Sequence, residues 1–316
     1  MTNFDQYFQT SADVRSIPHR YEQFWKDSME SLKNVPLNLK VTRKKALFLN
    51  KYNEFDLSFD GIGKYNLNGK LFMPLKSGVK PPVIIRFPDY MQETKFIPEL
   101  YEKGYAQFIL ELRGHREALA VSRQTEEGQN ASYGFFGENM LEPAEYYMYK
   151  LYLDAVRSLD VIRLIKEVDK NKIAIWGKGT GSAMAVFLQH NMERISSMIL
   201  DEPAFMYLEL TQNVSRSSYA EEINQYIKKN KHLKKKIKEN LAYFDVIYIA
   251  DKIKIPVMMF INIEKKDVAP QGGFALFHRI PENKDMVIST KTEELSREDE
   301  KKTLSESIAF FNETIK

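Results

Sequence analysis

The residues with the most chemical content are three evenly spaced glycines, Gly177, Gly179 and Gly181, set behind the apolar run Ile173-Ala174-Ile175-Trp176. Small and aliphatic residues follow at helical spacing: Ala183, Met184, Val186 and Leu188. This pattern predicts a strand, a very tight turn and a helix. A serine at the centre of such a G-x-S-x-G turn is lifted clear of the sheet as a nucleophile for acyl transfer. Here the central residue is Gly179, so the turn carries no nucleophile. Phosphate-binding readings fail on spacing. The segment lacks the G-K-[ST] ending of a P-loop and the third gap of G-x-G-x-x-G.

Other reactive side chains are sparse. With no cysteine there is no disulfide framework, thiolate metal site or cysteine nucleophile. His19 and His232 fall in surface-like helices, His190 ends the helix after the glycine turn, and His278 lies in a later helix. His115 follows a buried strand, which makes it the candidate pocket histidine. No histidines and carboxylates share metal-ligand spacing, so neither a metal nor a cofactor is expected. Seven lysines crowd the segment from Lys228 to Lys238. Such a run can meet a phosphate backbone, but Leu233 and Ile237 sit four apart within it and give it an apolar face. The charges therefore read as a solvated helix face, and nucleic acid is not an expected partner.

The elements that must position these residues follow from composition and period. At 316 residues and 43% hydrophobic, with a formal net charge of +3, the chain can bury a large core and is not disordered. No apolar run reaches the roughly 18 residues that span a bilayer. The first residues lack the basic and apolar regions of a signal peptide, and a cytoplasmic protein is expected. Tyr21, Phe24, Trp25, Met29 and Leu32 predict an N-terminal helix. Residues 41–75 read as antiparallel strands, with turn signals at Asp60-Gly61 and Asn68-Gly69. From Pro81 the alternation is that of βαβ units, with strands at 83–87, 105–110, 173–176, 197–201, 256–261 and 286–288. Helices are expected over 96–103, 142–167 and 304–314. A long polar loop over 114–140 and an insertion over 203–250 interrupt the pattern. The reading is a single α/β domain over 1–316, with an N-terminal β/helical extension over 1–75 and the insertion as a lid-like helical segment.

With these elements placed, the chain resembles the acetyl xylan esterase and cephalosporin C deacetylase family of α/β-hydrolases over nearly its full length. Five blocks carry the resemblance in order. They are Phe24-Trp25-Lys26; Pro88-Asp89-Tyr90, where the family has His-Gly-Tyr; Arg113-Gly114-His115, similar to Arg-Gly-Gln; Tyr146-Tyr147 with Tyr152-Leu153-Asp154-Ala155-Val156-Arg157-Ser158-Leu159; and Tyr243-Phe244-Asp245 with Ile249-Ala250-Asp251. The resemblance implies an α/β-hydrolase fold with a mostly parallel central sheet. It also implies a small acetylated or sugar-like ligand and homo-oligomers, often ring-like hexamers.

It further implies a Ser-His-Asp triad, in which serine attacks the acetyl carbonyl, histidine moves the proton and aspartate orients the imidazole. None of the three is matched. The serine position is Gly179, the aspartate position falls on Lys265, and the histidine position on Glu294. No histidine follows His278. Asp267 could supply an acid by a two-residue shift, but it would have no imidazole to orient, and Ser182 falls in the first helical turn, not at the apex. The backbone N–H groups of Tyr90 and Thr180 occupy the family's two oxyanion positions. The expected protein is an esterase-like α/β-hydrolase that is catalytically inactive and works by binding or assembly. The alternative is an active carboxylic-ester hydrolase with a non-standard site.

Overall fold

Val83, Ile84 and Ile85 have no exposed surface, the mark of a strand covered on both faces. The computed structural model describes residues 3–11, 17–44, 52–75, 78–115, 134–265, 267–290 and 297–315. Its strands are β1 (Lys40–Arg43), β2 (Tyr52–Asp60), β3 (Asn66–Pro74), β4 (Val83–Phe87), β5 (Ala106–Glu111), β6 (Ile173–Lys178), β7 (Ser197–Asp201), β8 (Val257–Asn262) and β9 (Lys284–Ser289). They form one sheet in the order β1-β2-β3-β5-β4-β6-β7-β8-β9. Pairing is antiparallel from β1 through β3 to β5 and parallel from β5 to β9. The residues before Pro81 thus extend the main sheet at one edge.

Side chains alternate across the sheet into two cores. Ile84, Ala174, Trp176 and Ile199 pack against Phe310 and Phe311 of the C-terminal helix Arg297–Thr314. Val83, Ile85, Ile173 and Ile175 join the larger core, with Leu153 and Val156 of the long helix Tyr147–Leu164 and Phe187 of the elbow helix Thr180–Asn191.

Several expectations shift in detail, three of them with a local cause. Asn68-Gly69 is no turn but lies inside β3, because a Cβ on Gly69 would stand 2.6 Å from the Phe108 ring and only glycine lets β3 close on β5 there. The long helix begins at Tyr147, not Glu142, since Pro143–Glu145 forms a separate 3-10 turn. The helix expected over 96–103 is confined to Pro98–Glu102, its first turn set by proline.

Four of the five blocks behind the resemblance hold this frame together. Arg113 meets Asp154 in a bidentate pair, Nε to Oδ2 at 2.7 Å and one terminal nitrogen to Oδ1 at 2.5 Å. Arg157 donates to the carbonyls of Leu32 and Val35, clamping the end of the helix Tyr21–Lys33. Trp25 donates to the Tyr243 carbonyl at 3.1 Å, and its ring lies 4.4 Å from that of Phe187. Tyr152 donates to the Phe244 carbonyl at 2.6 Å.

Between β7 and β8 run three helices, Leu208–Val214, Ser218–Lys229 and Lys234–Leu241. Buried Asp245 ties the end of this insertion to its start by accepting the N–H groups of Tyr207 (2.8 Å) and Leu208 (2.6 Å). Ile237 is wholly buried, while Lys228, Lys229, Lys231 and Lys234 to Lys236 are exposed. Among the described residues no helix is long and apolar enough to cross a membrane.

Candidate active site

Strand β6 ends at Lys178, and the elbow helix starts at Thr180. Gly179 between them has φ +53° and ψ −122°, a conformation that costs a side-chain-bearing residue strain and glycine very little. A Cβ on Gly181 would lie 2.4 Å from the Phe87 carbonyl, so the end of β4 passes directly over the start of the helix. This contact places the loop after β4 against the apex.

The apex is occupied. A Cβ on Gly179 would stand 2.0 Å from Asp89 Cγ and 2.1 Å from its Oδ1. The Asp89 carboxyl thus fills the volume where a side chain at 179 would begin. Its Oδ1 accepts the N–H groups of Tyr90 and Thr180, both at 2.8 Å, and the Thr180 hydroxyl at 3.1 Å. Gln92 approaches Oδ2 at 3.3 Å. The two backbone donors expected of an oxyanion hole therefore converge on one oxygen, and that oxygen belongs to the chain itself. Burial pushes the Asp89 carboxyl above its ordinary range, against the opposing pull of its N–H and hydroxyl donors and of Lys178. Hydrogen bonds to a charged group contribute about 1.5–3 kcal/mol each, and the positive end of the elbow helix adds to them. In the sequence Asp89 stands where the family has glycine, and its local spacing marks no role. The available signal was a paired change: a side chain gained at a glycine position and lost at the serine position.

The other expected site residues go elsewhere. Lys265 Nζ lies 2.5 Å from Glu202 Oε2 just beyond β7, so the residue expected at the position of the orienting acid is a cation already paired. Lys178 similarly faces Asp201 at 3.7 Å. Ser182 is buried and donates to the Gly177 carbonyl at 2.9 Å, which closes the strand–helix turn and leaves its hydroxyl short of the apex. Asp267 is exposed, and its carbonyl accepts the Ser215 hydroxyl at 2.8 Å. Glu294 lies outside the described residues, as does most of the 114–140 loop.

His115 is 4% exposed, and its Nε2 accepts the Met91 N–H at 2.5 Å. Burial pushes its pKa down to about 4, so the ring is neutral, with its proton on Nδ1. The candidate pocket histidine thus spends its acceptor nitrogen on pinning the loop next to Tyr90. His190 stands about 15 Å along the elbow helix from Thr180, ten residues at 1.5 Å each. His278 Nε2 lies 2.6 Å from the Phe8 carbonyl, which only accepts, so that nitrogen carries the proton.

A residue without a sequence signal completes the surroundings. Glu222, on the insertion helix Ser218–Lys229, accepts the Tyr90 hydroxyl at 3.1 Å and the Phe136 N–H at 2.9 Å. Burial pushes its pKa up to about 7. Tyr90 is thereby held at both ends, N–H to the apex and hydroxyl to the insertion. On the other side of Asp89 lies a cavity of about 440 Å³, lined by Arg86, Trp176, Lys178, Asp201 and Glu202 among others. The Arg86 guanidinium sits over the Trp176 ring at 5.4 Å.

A mostly parallel sheet, a glycine elbow between a central strand and its helix, and paired backbone donors from the elbow and the loop after β4 together define an α/β-hydrolase. The chain belongs to the acetyl xylan esterase family, whose model matches residues 2–314. Acetyl esterase Axe7A of Xylanibacter ruminicola is 21% identical over 282 residues, 86% of this chain; the match spans 62% of that relative's length. Two solved structures are similar over 97% of this chain and 98% of their own. They are an acetyl xylan esterase from Paenibacillus sp. R4, with TM-score 0.84 and 20% identity, and acetyl xylan esterase 1 from Thermoanaerobacterium sp. JW/SL YS485, with TM-score 0.80 and 16% identity.

Proposed function

We propose that this chain is a non-hydrolytic member of the acetyl xylan esterase family, acting by binding a small acetylated or sugar-like ligand or by assembly. One observation carries the reading: the Asp89 carboxylate stands in the apex volume that a nucleophilic side chain would need and on both oxyanion donors that the substrate carbonyl oxygen would need. Loss of a triad serine or histidine costs on the order of a million-fold in turnover and leaves only the oxyanion hole and substrate binding. Here the oxyanion hole is taken as well. The binding half of the proposal is supported by the cavity beside Asp89, whose volume of about 440 Å³ falls within the roughly 300–1,000 Å³ of small-ligand sites.

The test is hydrolysis of a small aryl acetate, run beside a serine-directed phosphonate label read by mass spectrometry. The expected result is a rate equal to buffer and no labelled serine. Turnover well above buffer with one serine labelled would establish an active carboxylic-ester hydrolase with a non-standard site and end the inactive reading.

A further inference from the structure

We propose that Asp89 is a tethered ligand of a working anion cradle, and that the cradle takes a small free monocarboxylate once the Asp89 side chain is removed. This deepens the binding reading of the same site.

The cradle does not depend on its occupant for shape. Thr180 is fixed by the elbow, where Gly179 N–H donates to the Asp201 carbonyl at 2.9 Å and the Gly179 carbonyl accepts the Ala204 N–H at 3.0 Å. Tyr90 is fixed by its hydroxyl on Glu222 and by the adjacent Met91 N–H on His115. Neither set of bonds passes through Asp89. Neither N–H group therefore depends on the Asp89 side chain for its position, as a preorganised anion site requires, although the Tyr90 N–H is shared with the Thr180 hydroxyl oxygen at 3.0 Å.

The occupant also defines the ligand class. Beyond its Cα, Asp89 is a methylene and a carboxylate, the atoms of an acetate ion joined to the backbone by one bond. Its Oδ1 takes three donors, and among the described residues its Oδ2 meets Gln92 at 3.3 Å. Without a side chain at 179, the apex has room for the whole carboxyl group. Lys178 bears on the same carboxylate from the cavity wall. A free monocarboxylate of acetate size reproduces each of these contacts. In the wild type it must compete with a tethered copy at high effective concentration, which is why the unmodified chain should bind it poorly.

The experiment is an acetate titration of the ¹⁵N-labelled chain, following the amide signals of Tyr90 and Thr180 in the wild type, Asp89→Gly and Asp89→Ala. The expected result is saturable movement of both amides in a folded variant, with an acetate affinity at least about tenfold above that of the wild type. Acetamide, the neutral analogue, should leave both signals in place. A folded variant whose two amides ignore acetate overturns the proposal, as does a wild type that binds acetate equally well or a variant that responds alike to acetamide. Should both variants fail to fold, amide exchange in the wild type decides. Slow exchange at Thr180, whose N–H donates to Asp89 Oδ1, supports an occupied cradle, and fast exchange there refutes it. Tyr90 is not diagnostic, because its N–H also meets the Thr180 hydroxyl. The titration reads binding and not turnover, so it can fail while the inactive reading stands, and the reverse.

Discussion

The frame and the apex of this molecule hold buried carboxylates in opposite ways. In the frame, Asp154 has no exposed surface and answers Arg113 charge for charge, in two near-parallel hydrogen bonds. At the apex, Asp89 is held by two backbone N–H groups and a hydroxyl, and among the described residues no cation bonds it directly. The frame pair binds a loop after β5 to the long helix, so changing either partner strands a buried charge. The apex carboxylate rests on donors that other bonds already fix. A side chain can therefore move from one side of the apex to the other with the frame unaltered. What differs is tolerance: the frame constrains its residues pairwise, and the apex constrains only the volume they share.

The sharpest test of this contrast is Arg113→Met, expected to cost about 3–5 kcal/mol in urea unfolding because it leaves Asp154 buried and unpaired. A loss below about 1 kcal/mol would place the pair with exposed ion pairs and erase the distinction. Gly179→Ser comes next. Strain at a positive φ and overlap with Asp89 should cost about 2–4 kcal/mol, and the variant should still not hydrolyse an aryl acetate. Adding Asp89→Gly should recover at least half of the lost stability. Strictly additive effects would mean that the two positions do not share a volume.

A smaller effect follows from Glu222, whose pKa of about 7 in the folded chain compares with an ordinary 4.5. Between those values the folded chain keeps a proton that the unfolded chain has released. Stability from this group is therefore lost as pH rises from 4.5 to 7 and is level above. Glu222→Gln retains an acceptor for Tyr90 and Phe136 but cannot ionise, so its stability should gain on the wild type across that window. His115 works in the other direction. Its folded value of about 4, against an ordinary 6.5, removes stability as pH falls through that range. Only the difference curve between variant and wild type isolates Glu222, and a flat difference would remove its carboxyl from the apex network. The smallest effect is expected from Lys234→Gln, Lys235→Gln and Lys236→Gln, each within about 0.5 kcal/mol as solvated surface changes. A larger loss in thermal unfolding would give the lysine face a structural role.

The succession of strands along the chain, the elbow and the place of Ser182 in the first helical turn are readable from residue types and spacing, because each depends on neighbours within one strand–turn–helix unit or on a hydrophobic period. Tyr90 and Thr180 were marked by the family resemblance alone, and the order of strands across the sheet is visible only in the structure. The parts played by Asp89 and Glu222 were not readable either. The role of Asp89 lies in where its carboxyl goes, across a contact between β4 and the elbow helix that spans 91 residues. Glu222 reaches Tyr90 over 132 residues, from a helix whose sequence shows only amphipathic period. His115 looked like chemistry for a related reason. A histidine behind a buried strand has the right address for a pocket, and only the Met91 N–H reveals that its free nitrogen is spent. Of the blocks that marked the family, those around Trp25, Arg113, Asp154 and Tyr243 report the frame, and only Pro88-Asp89-Tyr90 reports the apex.

The Asp89 carboxylate has one consequence of a different kind. An esterase closes each turnover with a carboxylate product beside its oxyanion donors, and it must let that product leave before it can begin again. This chain carries such a group on its own backbone, on both donors, with no way for it to diffuse away. The described state thus has the form of an enzyme–product complex whose product is tethered, reached without a substrate having been consumed.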